Sequence, residues 1–241
     1  MFGIDEAGKG PVLGSMFAAA VRVADARLLP AGIDDSKRLA PEQRQSIAAE
    51  LRDDDRVAVA VAEIPVARID DPETDMNTLT VAAHAEAAAG VVGDPAVAGD
   101  GAGAITDAAP DATEAVPTGL ADAGDTSEER FARRVADRVP AEVDLTAEHG
   151  ADEEHAVVGA ASIVAKVARD AHVADLADQY AETYGEPFGD LGSGYPSDPN
   201  TREFLETFVA EHGRLPDCAR RSWSTCEDVL AEHQQSGLAD F

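Results

Sequence analysis

Phe2-Gly3-Ile4-Asp5-Glu6-Ala7-Gly8-Lys9-Gly10 runs from a short apolar entry into two acids and then into a lysine bracketed by glycines. A phosphate-binding loop of the G-x-x-x-x-G-K-[ST] type is excluded. Gly10 has no hydroxyl for a magnesium ion, two carboxylates inside the loop would repel phosphate, and only Met1 and Phe2 precede Gly3 where a full strand is needed. The other reading suits the acids. Asp5 and Glu6 at the end of a first strand offer hard oxygen ligands. Gly8 and Gly10 let the backbone approach a ligand and present its N–H groups, with Lys9 beside any phosphate. An acidic turn in an acidic protein accounts for the same residues.

Outward from this stretch, residues 14–23 (GSMFAAAVRV) and 57–64 (VAVAVAEI) are Val-rich with partial alternation and predict strands. Pro41 opens a helix to about Asp53, and residues 77–90 predict an Ala-rich helix. Residues 103–107 (AGAIT with Asp107 at the end) predict a short buried strand. Residues 111–127 are acidic and aperiodic and carry Gly, Pro and Thr, which predicts a flexible surface insertion. Ser127 caps a following helix, in which Glu129 and Arg133 stand four apart. A strand over 142–147, a long amphipathic helix over 155–184, and helices near 200–212 and 222–235 complete the pattern. Strands early and helices late predict an α/β fold with a sheet of mixed direction.

The chain has 241 residues, 47 acids against 19 bases, and a net charge of −28. This excludes general electrostatic attraction to nucleic acid or to an anionic membrane. Leu, Ile, Val and Phe make up about a fifth of the residues, at the border where high charge favours disorder, so patterning has to carry the fold. No apolar run reaches the roughly 18 residues of a membrane span, and two early acids exclude a signal peptide. The chain is expected to be cytoplasmic. Cys218 and Cys226 make neither a disulfide framework nor a zinc pattern and are expected to pack. Sixteen of the bases are Arg and three are Lys. Excess acids, scarce Lys and abundant small apolar residues describe a chain adapted to a salt-rich cytoplasm, where molar salt shortens the screening length to about 3 Å.

Further acids build a constellation. Asp107 ends its strand beside the core, and Asp152 lies just before the long helix. Carboxylates gathered from strand ends and a helix start repel unless cations stand between them, which is the logic of a two-metal phosphodiesterase site. A strand-end cap for Asp107 and a solvated helix start for Asp152, in a run with Glu153 and Glu154, are the plainer readings. The lysines weigh on the functional side. Lys9, Lys37 and Lys166 are kept in three unrelated places, as cations around a polyanion would be. His149, His155 and His172 read as surface or cap residues, and Trp223 as an anchor for the last helix.

With these stretches in view, the sequence resembles ribonuclease HII in its archaeal form. The resemblance rests on residues 3–16 (GIDEAGKGPVLGSM), 34–39 (DDSKRL), the Asp107 strand end, Ala151-Asp152 with 157–170 (VVGAASIVAKVARD), 192–199 (GSGYPSDP) and 220–225 (RRSWST). They span nearly the whole chain in family order. The resemblance implies a ribonuclease H-like fold, a mixed central sheet flanked by helices, with a C-terminal helical extension. The domain reading is 1–190 for the catalytic domain, including the 111–127 insertion, and 191–241 for the extension. It implies Mg²⁺- or Mn²⁺-dependent hydrolysis of RNA in RNA–DNA hybrids and incision 5′ to ribonucleotides embedded in duplex DNA, leaving 3′-hydroxyl and 5′-phosphate ends. The enzyme would be a monomer with no membrane partner.

Carried residue by residue, the metal-binding acids match Asp5, Glu6, Asp107 and Asp152. The family's Gly-Arg-Gly loop, which reads a ribose 2′-hydroxyl through its backbone, matches Gly8-Lys9-Gly10. Ser36 and Lys37 match phosphate contacts, Lys166 lies in a motif near the substrate, and Tyr195 matches a tyrosine that packs on the sugar at an RNA–DNA junction. Three features depart from the pattern: Lys9 stands for Arg, Gly150 stands where the family often has Lys, and 111–127 is extra.

Overall fold

The computed structural model describes residues 1–33, 39–92 and 116–239, with 236–239 as backbone alone. The chain divides into two compact units. The first comprises Met1–Ala7, Phe17–Glu63 and Asn77–Ala168, and the second Gly8–Met16, Ile64–Met76 and Arg169–Phe241.

In the first unit β1 (Phe2–Ala7), β2 (Met16–Val23), β3 (Val57–Ile64), β4 (Thr118–Asp122) and β5 (Asp144–Glu148) form one sheet in the order β3-β2-β1-β4-β5. β1 runs antiparallel to β2, pairing Phe2 with Arg22 through Ala7 with Phe17. It runs parallel to β4, and β4 runs parallel to β5. The mixed sheet expected from the sequence is therefore present. The helices are α1 (Pro41–Asp53), α3 (Met76–Val92), α4 (Glu128–Ala136), the one-turn α5 (Ala151–Glu154) and the start of α6 (Ala156–Tyr184).

Local chemistry sets these boundaries. Pro41 is the first residue of α1, and the Gln43 side chain accepts the Ala40 N–H at 3.0 Å. Ser127 accepts the Arg130 N–H at the start of α4, with Glu128 and Glu129 in the first turn and Arg133 and Arg134 in the last, matching the helix dipole. The core of this unit is aliphatic and rich in small residues, among them Ala19, Val21, Ala48, Val158, Ala161 and Val164, with Ile33, Leu51 and Ile163 filling the larger spaces. Small side chains bring α6 close to the sheet.

The second unit has the short α2 (Val66–Ile69), the rest of α6, α7 (Pro199–His212) and α8 (Ser224–Ala239). Its core is aromatic: Tyr180, Phe188, Phe204 and Phe208 are buried together, with ring centroids 5.4–6.4 Å apart in mostly edge-on pairs. Asp198 caps α7 by accepting the Asn200 N–H at 3.0 Å, and Gly213 closes it in the left-handed region.

One expectation is corrected here. Residues 118–122 lie within the stretch read as a flexible insertion, yet they form β4, held between β1 and β5. The strand is short, contains Gly119, and buries only Ala121 fully. Its order comes from backbone pairing on both edges, which side-chain alternation does not reveal. The strand expected over 103–107 lies outside the described residues, as do 111–115. Among the described residues no helix is long and apolar enough to cross a membrane.

Candidate functional site

Alternation along β1 sends its two acids to opposite faces of the sheet. Gly3 marks one face. A Cβ there would lie 2.4 Å from the Val157 carbonyl, so α6 packs directly on strand backbone. Asp5 shares that face and hydrogen-bonds Ser162 of α6. It is buried, and one of its oxygens accepts the Glu6 N–H at 2.7 Å. Glu6 points the other way, toward α3, where its carboxylate meets His84 Nε2 at 2.7 Å.

β4 brings a third carboxylate. The register pairs Ile4 with Ala121, so the next step sets Asp5 and Asp122 side by side at the carboxyl ends of neighbouring parallel strands. Asp122 accepts the Ala151 N–H at 2.9 Å and so caps α5. The turn into α5 is made by Gly150 in the left-handed region, at φ 73°. Asp152, the second residue of α5, is buried.

The charges of these acids act on one another. Burial, then the charges of Glu6 and Asp122, pushes the Asp5 carboxyl well above the usual range, and hydrogen bonds from Ser162 and the Glu6 N–H oppose this. Burial, then Glu6 and Asp152, raises Asp122, opposed by the backbone N–H groups of Ala151 and Gly150. Like charges held in partly desolvated surroundings are a standing cost that a divalent cation relieves. All four offer oxygen donors, the chemistry that suits Mg²⁺ or Mn²⁺. Among the described residues no three ligating side chains are drawn into a closed cluster.

Of the sequence candidates, Asp5, Glu6 and Asp152 are placed in this first unit. Asp107 lies outside the described residues, and the strand-end carboxylate beside Asp5 is Asp122. Ser36 and Lys37 also lie outside them. Lys166 is one link from the acids: its ammonium donates to the Ser162 hydroxyl at 2.8 Å, and Ser162 bonds Asp5. Sequence reasoning missed Asp122, Ser162 and His84. The signal for Asp122 was available in the apolar step Leu120-Ala121 ahead of an acid, but the acidic neighbourhood hid it. His84 is fully buried in α3, edge-on to Phe131 at 5.0 Å, and nothing in its Ala-rich surroundings distinguishes it from a core residue.

The second unit carries the other candidates. Gly8 adopts φ 87°, a conformation other residues resist. Tyr195 is 40% exposed, and its ring lies 3.4 Å from where a Cβ on Gly10 would stand. The Arg169 guanidinium sits over that ring, 5.4 Å from its centre, and donates to the Ser193 carbonyl. Arg220, another residue sequence reasoning did not single out, lies fully buried against the Gly8–Gly10 loop.

The histidines read as surface or cap residues behave as such at two positions: His149 bonds Glu128 and the Asp125 carbonyl, and His155 bonds Glu148. His172 instead accepts the Ser15 N–H at 3.2 Å. Cys218 and Cys226 are free and buried, as expected.

Known proteins agree with this architecture. The profile of the ribonuclease HII family matches residues 2–226. A ribonuclease HII of Haloarcula marismortui is 58% identical over 240 residues, covering 100% of this chain and 99% of that protein. One from Halobacterium salinarum is 55% identical over 244 residues, with the same coverage. The crystal structure of the ribonuclease H2 from Pyrococcus horikoshii superposes with a TM-score of 0.74 at 30% identity, covering 97% of this chain and 98% of that one. A family profile along nearly the whole length, and relatives this similar end to end, leave one assignment: the chain belongs to the ribonuclease HII family of endoribonucleases.

Proposed function

We propose that this endoribonuclease cleaves the RNA strand of RNA–DNA hybrids and also incises 5′ to single ribonucleotides in duplex DNA, leaving 3′-hydroxyl and 5′-phosphate ends. The observation that carries the reading is the strand register that sets Asp5 beside Asp122, with the charges of Glu6 and Asp152 acting on them. Asp5, Glu6, Asp122 and Asp152 would hold Mg²⁺ or Mn²⁺, with Asp122 in the strand-end place that the sequence reading gave to Asp107. A pair of such ions supplies Lewis-acid polarisation of the phosphodiester and lowers the pKa of the attacking water.

The chain's own residues do the rest. Ser162 orients Asp5, His84 orients Glu6, and the Asp122 carboxylate fixes the start of the turn that carries Asp152. Lys166 holds Ser162 and supplies a cation near the acids. Gly8, Lys9 and Gly10 read the ribose through backbone groups, Tyr195 lies against the following deoxyribose, and Ser36 and Lys37 contact phosphate. Substrate discrimination then rests on the 2′-hydroxyl, the group that separates RNA from DNA. We take the enzyme to act as a monomer.

The test is cleavage of a DNA duplex containing one ribonucleotide, in Mg²⁺ at high KCl, with the cut mapped at single-nucleotide resolution. A cut on the 5′ side of the ribonucleotide that vanishes in Asp122→Asn supports the reading. A cut elsewhere, or full activity in Asp122→Asn, overturns it.

A further inference from the structure

Arg220 is among the largest fully buried side chains of the second unit. The polypeptide at 218–220 pairs with the end of the glycine loop. Leu13 and Ala219 form an antiparallel bridge, Arg220 N–H donates to the Val12 carbonyl at 2.8 Å, and Gly14 N–H donates to the Cys218 carbonyl at 2.8 Å. From this anchor the guanidinium reaches back along the loop. It donates to the carbonyls of Gly8 at 2.6 Å, Lys9 at 3.0 Å and Gly14 at 2.9 Å. The Trp223 ring lies against it, 5.1 Å from the guanidinium carbon, and the Trp223 indole N–H points at the Gly10 carbonyl at 3.4 Å.

No carboxylate among the described residues forms an ion pair with Arg220. Burial, and then the charge of Arg169, lowers its pKa to about 10. A cation kept in so unfavourable a place, with its donors spent on backbone carbonyls, does something an apolar residue of the same size could not. What the fork contributes is direction. Peptide groups are planar and trans, so each C=O points opposite to the N–H of the next residue. Gathering the Gly8 and Lys9 carbonyls on the Arg220 side turns the N–H groups of Lys9 and Gly10 to the other side. Pro11, with no N–H, ends the array. The positive charge behind these peptides also polarises them and strengthens their N–H groups as donors.

We infer that Arg220, with Trp223, is the positioning residue that makes Gly8–Gly10 a hydrogen-bond donor face for a ribose 2′-oxygen. The inference rests on the reading of this loop as the ribose reader. It moves the determinant of RNA-over-DNA choice from the loop to a buried arginine more than two hundred residues away in sequence.

The test compares binding in Ca²⁺, without cleavage, of two labelled duplexes identical except for one ribonucleotide, read by fluorescence anisotropy. The wild type should prefer the ribonucleotide duplex. Arg220→Lys keeps the charge but replaces the fork with a single donor centre. It should lose about tenfold of that preference, as expected for one charge-assisted bond, with affinity for the all-DNA duplex unchanged. In cleavage, KM for the ribonucleotide substrate should rise more than kcat falls. If Arg220→Lys does not fold, Trp223→Phe removes the bond to the Gly10 carbonyl, keeps a smaller ring beside Arg220, and should lower the preference by about threefold. A merely structural arginine would lower the melting temperature and leave the preference ratio intact, and that result in a folded variant overturns the inference. A wild type that neither prefers nor cuts the ribonucleotide duplex refutes the ribonuclease reading itself, a different outcome.

Discussion

His84 Nε2 and Glu6 Oε2 lie 2.7 Å apart, and the histidine is fully buried. An ionised carboxylate only accepts, so Nε2 carries the proton, and among the described residues Nδ1 has no hydrogen-bond partner. The burial of that unpaired nitrogen is a cost, set against a fixed Glu6. His84→Phe keeps the ring and its edge contact with Phe131 and removes the donor. We expect Mn²⁺ affinity to fall about tenfold or more, as for lost supporting bonds at metal sites, read by calorimetric titration. His84→Gln should restore part of it. Unchanged affinity in the Phe variant would mean that Glu6 needs no orientation.

Asp122→Asn removes one of the mutually repelling charges and can still cap α5. Cleavage should disappear, while the melting temperature of the metal-free protein should rise by roughly 2–4 °C for each kcal/mol of relief. A lower melting temperature would show that capping by the charged form outweighs the repulsion.

Asp125 predicts the acid limb of stability. Its carboxylate takes two bonds from Arg130, stands 3.7 Å from Arg134, and is held at a pKa of about 2, chiefly by Arg130. A carboxylate lowered in the folded state stabilises above its unfolded pKa, and the contribution is lost as pH falls through the folded value. The loss should fall between about pH 4 and pH 2, and Asp125→Asn should flatten that limb in an acid-unfolding titration. Asp5 and Asp122 act with the opposite sign. Raised in the folded state, they favour the fold at low pH and cost stability as pH climbs past their folded values.

Folding and activity should both be best at KCl on the order of molar, where screening acts within about 3 Å. Substrate affinity should weaken over the same range through counterion release, so KM should rise while the folded fraction grows. Full structure and best turnover at about 0.1 M KCl would refute the salt-adaptation reading of the −28 charge.

Tyr195→Ala should cost about 1–3 kcal/mol on a duplex with one embedded ribonucleotide, the scale of a stacking contact, and less on continuous hybrid, as kcat/KM ratios would show. Equal losses on both would make the ring a support for Arg169 and the loop rather than a reader of the junction.

The sequence was most legible where side-chain pattern and fold agree. Val57–Ile64 and Pro41–Asp53 form the elements expected of them, at the same boundaries. The long helix is displaced by a single residue at its start. It was least legible where order is supplied by neighbours. β4 has two partner strands and almost no apolar signal of its own, and with it went Asp122. His84 and Arg220 were invisible for a related reason. Their meaning lies in what they touch at sequence separations of 78 and 212, and no local spacing encodes such distances.

Gly3 has a bearing on fidelity. Its bare backbone lets α6 press on the strand at that point, and the flanking residues of β1 are Phe2 and Ile4. A slip of the strand by one position would drive a large side chain into the Val157 backbone. It would also exchange the faces of Asp5 and Glu6, presenting each to the other's helix. The missing side chain therefore works as a keyway: the strand seats only in the frame where the two acids reach their separate partners, and a misaligned chain is rejected during folding rather than carried forward as an intact but inert protein.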